Sequence, residues 1–94
     1  MRKATTYAMT GDVYVNIFLS RDFKERRSAC GLKFFEHKKT GVFITYDPKG
    51  VQTRIIISKD KSGEDSIYEG DSTAEVKQTL DNIGILQTKN CIEV

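Results

Sequence analysis

Tryptophan is absent from this 94-residue chain, proline and histidine occur once each, and the two cysteines stand far apart. Each scarcity excludes something. A single histidine, His37, leaves no His-rich metal site, and Cys30, Cys91 and His37 are too scattered to be read as a ligand set. Cys30 and Cys91 make neither a disulfide framework nor a zinc spacing, so both are expected to be small half-buried hydrophobes in a reducing compartment. No metal or cofactor is expected. No run approaches the roughly eighteen apolar residues of a membrane span. The basic start Met1-Arg2-Lys3 leads into Ala4-Thr5-Thr6-Tyr7 and not into an apolar stretch. The reading is a soluble, cytoplasmic protein without membrane contact. Glycines at positions 11, 31, 41, 50, 63, 70 and 84 stand singly, so there is no glycine-rich phosphate loop.

Catalytic arrangements are equally thin. Ser58-Lys59-Asp60-Lys61 matches Ser-x-x-Lys, but the other elements of that motif are missing. His37, beside Lys38-Lys39 at the end of a strand-like segment, reads as a surface residue. Glu36, Asp47 and Glu69 supply carboxylates, yet a general acid needs a shaped, desolvated site that a small sheet does not readily provide. No catalytic residue is assigned, and the chain is read as not an enzyme.

What is present is a central meander over residues 32–58: LKFFEH, KKTG, VFITYD, DPKG and VQTRIIIS alternate strand-like runs with turn signals. Asp47-Pro48-Lys49-Gly50 has the residues of a type I turn, with proline at the second position and glycine at the fourth. In the last run Val51, Thr53, Ile55 and Ile57 share one face, and Gln52, Arg54 and Ser58 the other. Upstream, residues 4–9 read as a first strand. Residues 13–19 read as a second, with Val13, Val15, Ile17 and Leu19 on an aliphatic face and Tyr14, Asn16 and Phe18 on an aromatic one. Residues 20–30 (SRDFKERRSAC) read as a short surface helix, capped by Ser20 or Asp22 and stopped by Gly31.

Downstream, residues 65–69 can add a strand around Ile67. Ser72 and Glu75 form a capping box, and Val76, Leu80 and Ile83 follow at helical spacing before Gly84, which gives an amphipathic helix over 72–83. Residues 85–87 and 91–94 could return as a final hairpin or as edge strands around Lys89-Asn90. The whole chain, 1–94, is thus expected to be one small α+β domain: an antiparallel sheet of about five to seven strands, the C-terminal helix 72–83, and the short helix 20–30 after the second strand.

Charge separates along the chain. Residues 1–59 carry twelve Lys and Arg against five Asp and Glu, and residues 60–94 carry three against eight, although the net charge is only +2. Eight of the nine aromatic residues lie in the basic part. Cations neutralise phosphates and rings stack on bases, so interleaving the two suits a nucleic-acid surface. Arg21, Lys24, Arg26 and Arg27 form the densest cationic patch, with Asp22 and Glu25 opposing it, and Lys38 and Lys39 form a second.

Lys39-Thr40-Gly41-Val42-Phe43-Ile44-Thr45-Tyr46 resembles in part the RNP1 segment of RNA-recognition motifs, and Val13-Tyr14-Val15 resembles the start of RNP2. That resemblance implies aromatics on adjacent strands. Gly41 stands where the motif carries an exposed aromatic, and residues 51–70 add a hairpin, so the chain is not assigned to that family. What the resemblance leaves is a physical expectation: Tyr14 and Phe43 on one open sheet face, flanked by Arg26, Arg27, Lys38 and Lys39.

Two classes of function remain. The first is a small non-enzymatic binder of RNA or DNA, with the cations at 21–27 and 38–39 holding phosphates and Tyr14, Phe43 or Tyr46 stacking bases. The alternative is a protein-binding regulator or inhibitor acting through a strand edge or its acidic C-terminal part, where edge pairing could also form a homodimer. An enzyme working through Glu36 or His37 ranks third.

Overall fold

Asp12 decides how the first long element begins. In the computed structural model, which describes residues 6–7, 11–52, 54–88 and 90–91, the Asp12 carboxylate accepts from the backbone N–H groups of Tyr14 and Val15. It thereby caps a helix. The elements run β1 (Thr6–Tyr7), α1 (Val13–Leu19), β2 (Lys24–Ala29), β3 (Leu32–Glu36), β4 (Phe43–Tyr46), β5 (Ile55–Ser58), β6 (Ser66–Gly70), α2 (Thr73–Asn82) and β7 (Asn90–Cys91). β2 to β6 form a five-stranded antiparallel meander in sequence order, while β1 and β7 make a separate two-residue parallel pair.

The expected strand over 13–19 is therefore a helix. An almost continuous apolar run of seven residues satisfies a period of two as well as one of 3.6, so its ends arbitrate. At the far end, Phe23 N–H donates to the Phe18 carbonyl (3.1 Å) and Asp22 N–H to that of Leu19 (3.4 Å). This is the paired bonding of a Schellman close, with Asp22 in the left-handed position (φ 68°) that glycine usually takes. The accompanying apolar contact is an edge-on meeting of the Phe18 and Phe23 rings, 6.0 Å between centroids. Ser20 and Asp22, expected to start a helix over 20–30, instead finish α1.

The rest of 20–30 is strand, not helix. β2 runs from Lys24 to Ala29 and returns through Cys30-Gly31 into β3, with Ala29 opposite Leu32. Both turn residues have positive φ, 54° for Cys30 and 78° for Gly31. That combination defines a type I′ hairpin, whose hand matches the twist of the strands it joins. Gly31 closes a hairpin and does not stop a helix. Cys30, exposed at the turn and not half-buried as expected, is an unusual occupant, and Asn-Gly is the pair this turn favours. Asn bears the left-handed conformation better than Cys, so replacing Cys30 with Asn is expected to recover about 0.5–1 kcal/mol of the roughly 1–2 kcal/mol it costs, roughly 2–8 °C in a thermal melt. No rise in melting temperature would count against the I′ geometry.

The remaining corrections are smaller. The Asp47-Pro48-Lys49-Gly50 turn forms, with Gly50 N–H on the Asp47 carbonyl at 3.0 Å. However, the chain does not re-enter the sheet until Ile55, and Val51 is 85% exposed and not on the core face. Thr53 lies outside the described residues, as do the rest of the expected strand 4–9 beyond Thr6–Tyr7 and residues 92–94 of the last one. Residues 85–87 form no strand; Ile85 packs back on α2, its N–H bonded to the Leu80 carbonyl at 2.9 Å. Val13-Tyr14-Val15 is helical, so the partial likeness to RNP2 fails on secondary structure.

α2 occupies the stretch marked by the capping box, with a relay added. Ser72 Oγ accepts from Glu75 N–H (3.2 Å), but the Glu75 carboxylate accepts from the Tyr68 hydroxyl (3.1 Å), which in turn accepts from Ser72 N–H (3.2 Å). A tyrosine of β6 thus stands between the two halves of the box. α1 and α2 share one core with a single sheet face: Phe18, Phe35, Ile44, Ile55, Ile57, Val76 and Leu80 are fully buried together. The other face is left uncovered by both helices.

Candidate functional site

Strand parity assigns the residues of that uncovered face. Glu36 pairs with Phe43 and Phe43 with Ser58; one step along, Arg26 pairs with Phe34, Phe34 with Thr45 and Thr45 with Ile56. Phe34 and Phe43 are diagonal neighbours on adjacent strands, within reach of aromatic side chains. Their rings stack with centroids 5.8 Å apart and planes inclined by 28°. Both are half-buried, so ring surface remains open to solvent. Arg26, Arg27, Phe34, Glu36, Phe43 and Lys61 line a groove of about 380 Å³ over this pair. Arg26 Nη1 reaches Glu36 Oε1 at 3.3 Å. An ion pair this exposed contributes about 0–1 kcal/mol to stability, and its main consequence is to orient the carboxylate beside the rings.

The same register gathers further cations at one end of the sheet. Lys24 stands opposite Glu36 at the start of β2, Lys38 and Lys39 lie in the turn between β3 and β4, and Lys59 and Lys61 lie in the turn after β5. All are exposed. Asp60, Glu64 and Asp65 sit in that last turn too, so the end is mixed but rich in ammonium groups. Lys38 and Lys39 do not line the groove.

Three residues expected in the site lie elsewhere. Tyr14 (8% exposed) and Tyr46 (2%) are core residues, their rings 5.3 Å apart where α1 meets the sheet. Tyr14 donates its hydroxyl to the Asp71 carbonyl and lies under the Arg54 guanidinium, 5.9 Å from the ring centre. Tyr46 donates to the Asp12 carboxylate. Burial, then that hydrogen bond and charge, push the Tyr46 phenol above the usual tyrosine range, so it stays protonated and keeps α1 moored through its capping residue. Phe43 and Tyr46 are three apart on one strand, and a period of two already sends them to opposite faces. Arg21 is also buried (5% exposed), its guanidinium 2.9 Å from Asp81, and it ties the end of α1 to the last turn of α2.

Phe34, Glu36 and Lys61 enter the site without having been singled out for it by sequence. Phe34 was findable: in Leu32-Lys33-Phe34-Phe35-Glu36 the two adjacent rings must face opposite ways, so one of them leaves the core. Lys61 was not, because its turn meets the groove only through the pairing of β5 with β4. His37 is buried on the core side, its Nδ1 2.9 Å from Thr40 Oγ1 and its ring 5.3 Å from Phe23. It does not meet Glu36. A second groove, of about 470 Å³, is lined by Leu19, Asp22, Phe23, Lys24 and Glu25; it carries two carboxylates against one ammonium, and its one ring is buried. Among the described residues no three of His, Cys, Asp and Glu come together as metal ligands. No described helix is long and apolar enough to cross a membrane.

Comparison with known proteins finds no matching family model, curated protein or solved structure.

Proposed function

We propose that the chain is a small, non-catalytic protein that binds single-stranded nucleic acid on the helix-free face of its sheet. The observation that carries this reading is the stacked Phe34–Phe43 pair, open to solvent in a groove edged by Arg26, Arg27 and Lys61. Cross-strand packing accounts for two adjacent rings; what supports a ligand is that Arg26, Arg27 and Lys61 line the same groove. Rings stack on unpaired bases, which a duplex does not offer, while the guanidinium and ammonium groups neutralise the phosphates. Lys24, Lys38 and Lys39 extend the cationic surface toward the turn end of the sheet.

The reading carries a cytoplasmic setting in which the exposed Cys30 stays a thiol. A homodimer through a strand edge would use β6, because β2 exposes Lys24, Glu25, Arg26 and Arg27, and charge along an edge opposes strand addition there.

The test is fluorescence-anisotropy titration with short single-stranded RNA, single-stranded DNA and duplex DNA at low and near-physiological salt. Binding should favour single strands over duplex. Replacing Arg26 and Arg27 together with Ala should weaken it and flatten its log–log salt dependence by about 0.7–1.4, since each phosphate neutralised on a single strand adds about 0.7 to that slope and Arg26 shares its charge with Glu36. An absence of binding to all three at low salt would overturn the proposal and leave a protein ligand as the occupant of this face.

A further inference from the structure

A carboxylate inside a phosphate-binding groove has a cost: it repels the backbone. Glu36 nevertheless sits there, opposite Phe43 across the β3–β4 pair and on the same face as Phe34 two residues before it. Its side chain keeps 23% of its surface exposed, and Arg26 holds one oxygen from the side, at 3.3 Å. A carboxylate has about four acceptor sites and no donor when ionised, so capacity remains on both oxygens for a ligand seated on the rings.

A base stacked on Phe34 and Phe43 brings its edge toward the groove's lining, where this acceptor waits. The four bases answer it differently. Uracil offers one N–H between two carbonyls, which would face the carboxylate with repulsion. Cytosine and adenine each offer an amino group beside a ring nitrogen that is itself an acceptor. Guanine alone presents two adjacent donors, N1–H and the N2 amino group, in the spacing of the two carboxylate oxygens. We infer that Glu36 makes this face selective for guanine in single strands, reading the N1–H and N2–H edge of a base stacked on Phe34 and Phe43. The inference rests on the nucleic-acid reading of the same groove and names which base it takes. Arg26 serves as the positioning residue that orients the carboxylate.

The experiment uses the full chain and a short fluorescent oligouridine with one central base varied among guanine, hypoxanthine, adenine, cytosine and uracil. Guanine should bind about 5- to 150-fold more tightly than adenine, cytosine or uracil, the usual discrimination of a two-bond base contact. Hypoxanthine, which lacks the N2 amino group, should fall between. The variant Glu36→Gln loses one of the two acceptors and the repulsive charge, so all five affinities should converge on a similar value, higher than that of wild type for uracil. Were Glu36 only a partner for Arg26, its replacement would move all five affinities by the same factor and keep their order. Equal binding of the five by wild type, or a guanine preference that survives Glu36→Gln, overturns the inference while leaving the binding function standing. No binding to any of them removes that function and this inference with it.

Discussion

Replacing Phe43 with alanine should weaken the binding of single-stranded oligonucleotides by about 5- to 150-fold, because base-on-ring stacking contributes about 1–3 kcal/mol per base. Phe34→Ala should cost a similar amount. The double variant should lose less than the product of the two, since the rings touch and share one platform. Both side chains are only half-buried, so the fold should survive each change, and circular dichroism melts run alongside the titrations separate weakened binding from unfolding. Phe43→Leu keeps the apolar bulk and removes the π-face; it should bind nearly as poorly as Phe43→Ala. Tyr46, on the same strand but facing the core, supplies the contrast: Tyr46→Phe should leave affinity unchanged. If Phe43→Ala binds as wild type does, stacking is not how this face works, and the cations alone would have to account for any affinity.

The largest expected effect on stability lies on the other side of the sheet. Phe18 is fully buried, with ring centroids 5.0 Å from Phe35, 6.0 Å from Phe23 and 6.5 Å from Tyr46. Truncating such a residue to alanine removes its transfer energy and leaves a cavity, together about 3–5 kcal/mol. Domains of this size have about 5–15 kcal/mol in total, so Phe18→Ala should lower the melting temperature by about 12–40 °C and leave much of the protein unfolded at physiological temperature. The same substitution tests the architecture. On a strand with an aromatic face open to a ligand, Phe18 would cost little stability and much binding; in helix α1 it costs stability first. A melting temperature within about 5 °C of wild type would contradict its place at the centre of the core.

The difference between Phe18 and Phe43 shows where the sequence was legible. The meander over 32–58 was readable because turn chemistry and alternation agree there: Asp47, Pro48 and Gly50 have few other uses in that order, and Ile44 and Ile57 fall on the buried parity. Phe43 was readable as an open-face residue for the same reason. Tyr14 and Phe18 were not, because VYVNIFL fits a strand and a short helix equally well in its apolar spacing. Only the Asp12 cap, the Asp22 close and the packing of Phe18 on Phe35 decide for the helix. Lys24 to Ala29 erred in the opposite direction. Its charges and flanking cap residues read as a surface helix, whereas partnership with β3 makes it an exposed edge strand.

By itself, then, the sequence determined an α+β composition, the antiparallel centre, the capped C-terminal helix and the concentration of cations and rings in its first two-thirds. These follow from local spacing, which acts over a few residues. The tertiary structure alone decided that Tyr14 and Phe18 are core rings, that Arg21 is held by Asp81 sixty positions away while Arg26 and Arg27 edge a groove, and that Lys61 and Glu36 join Phe34 and Phe43. The physical reason is that burial and ion pairing depend on partners distant in the chain. A residue's own neighbours report its periodicity, but not what will lie across from it.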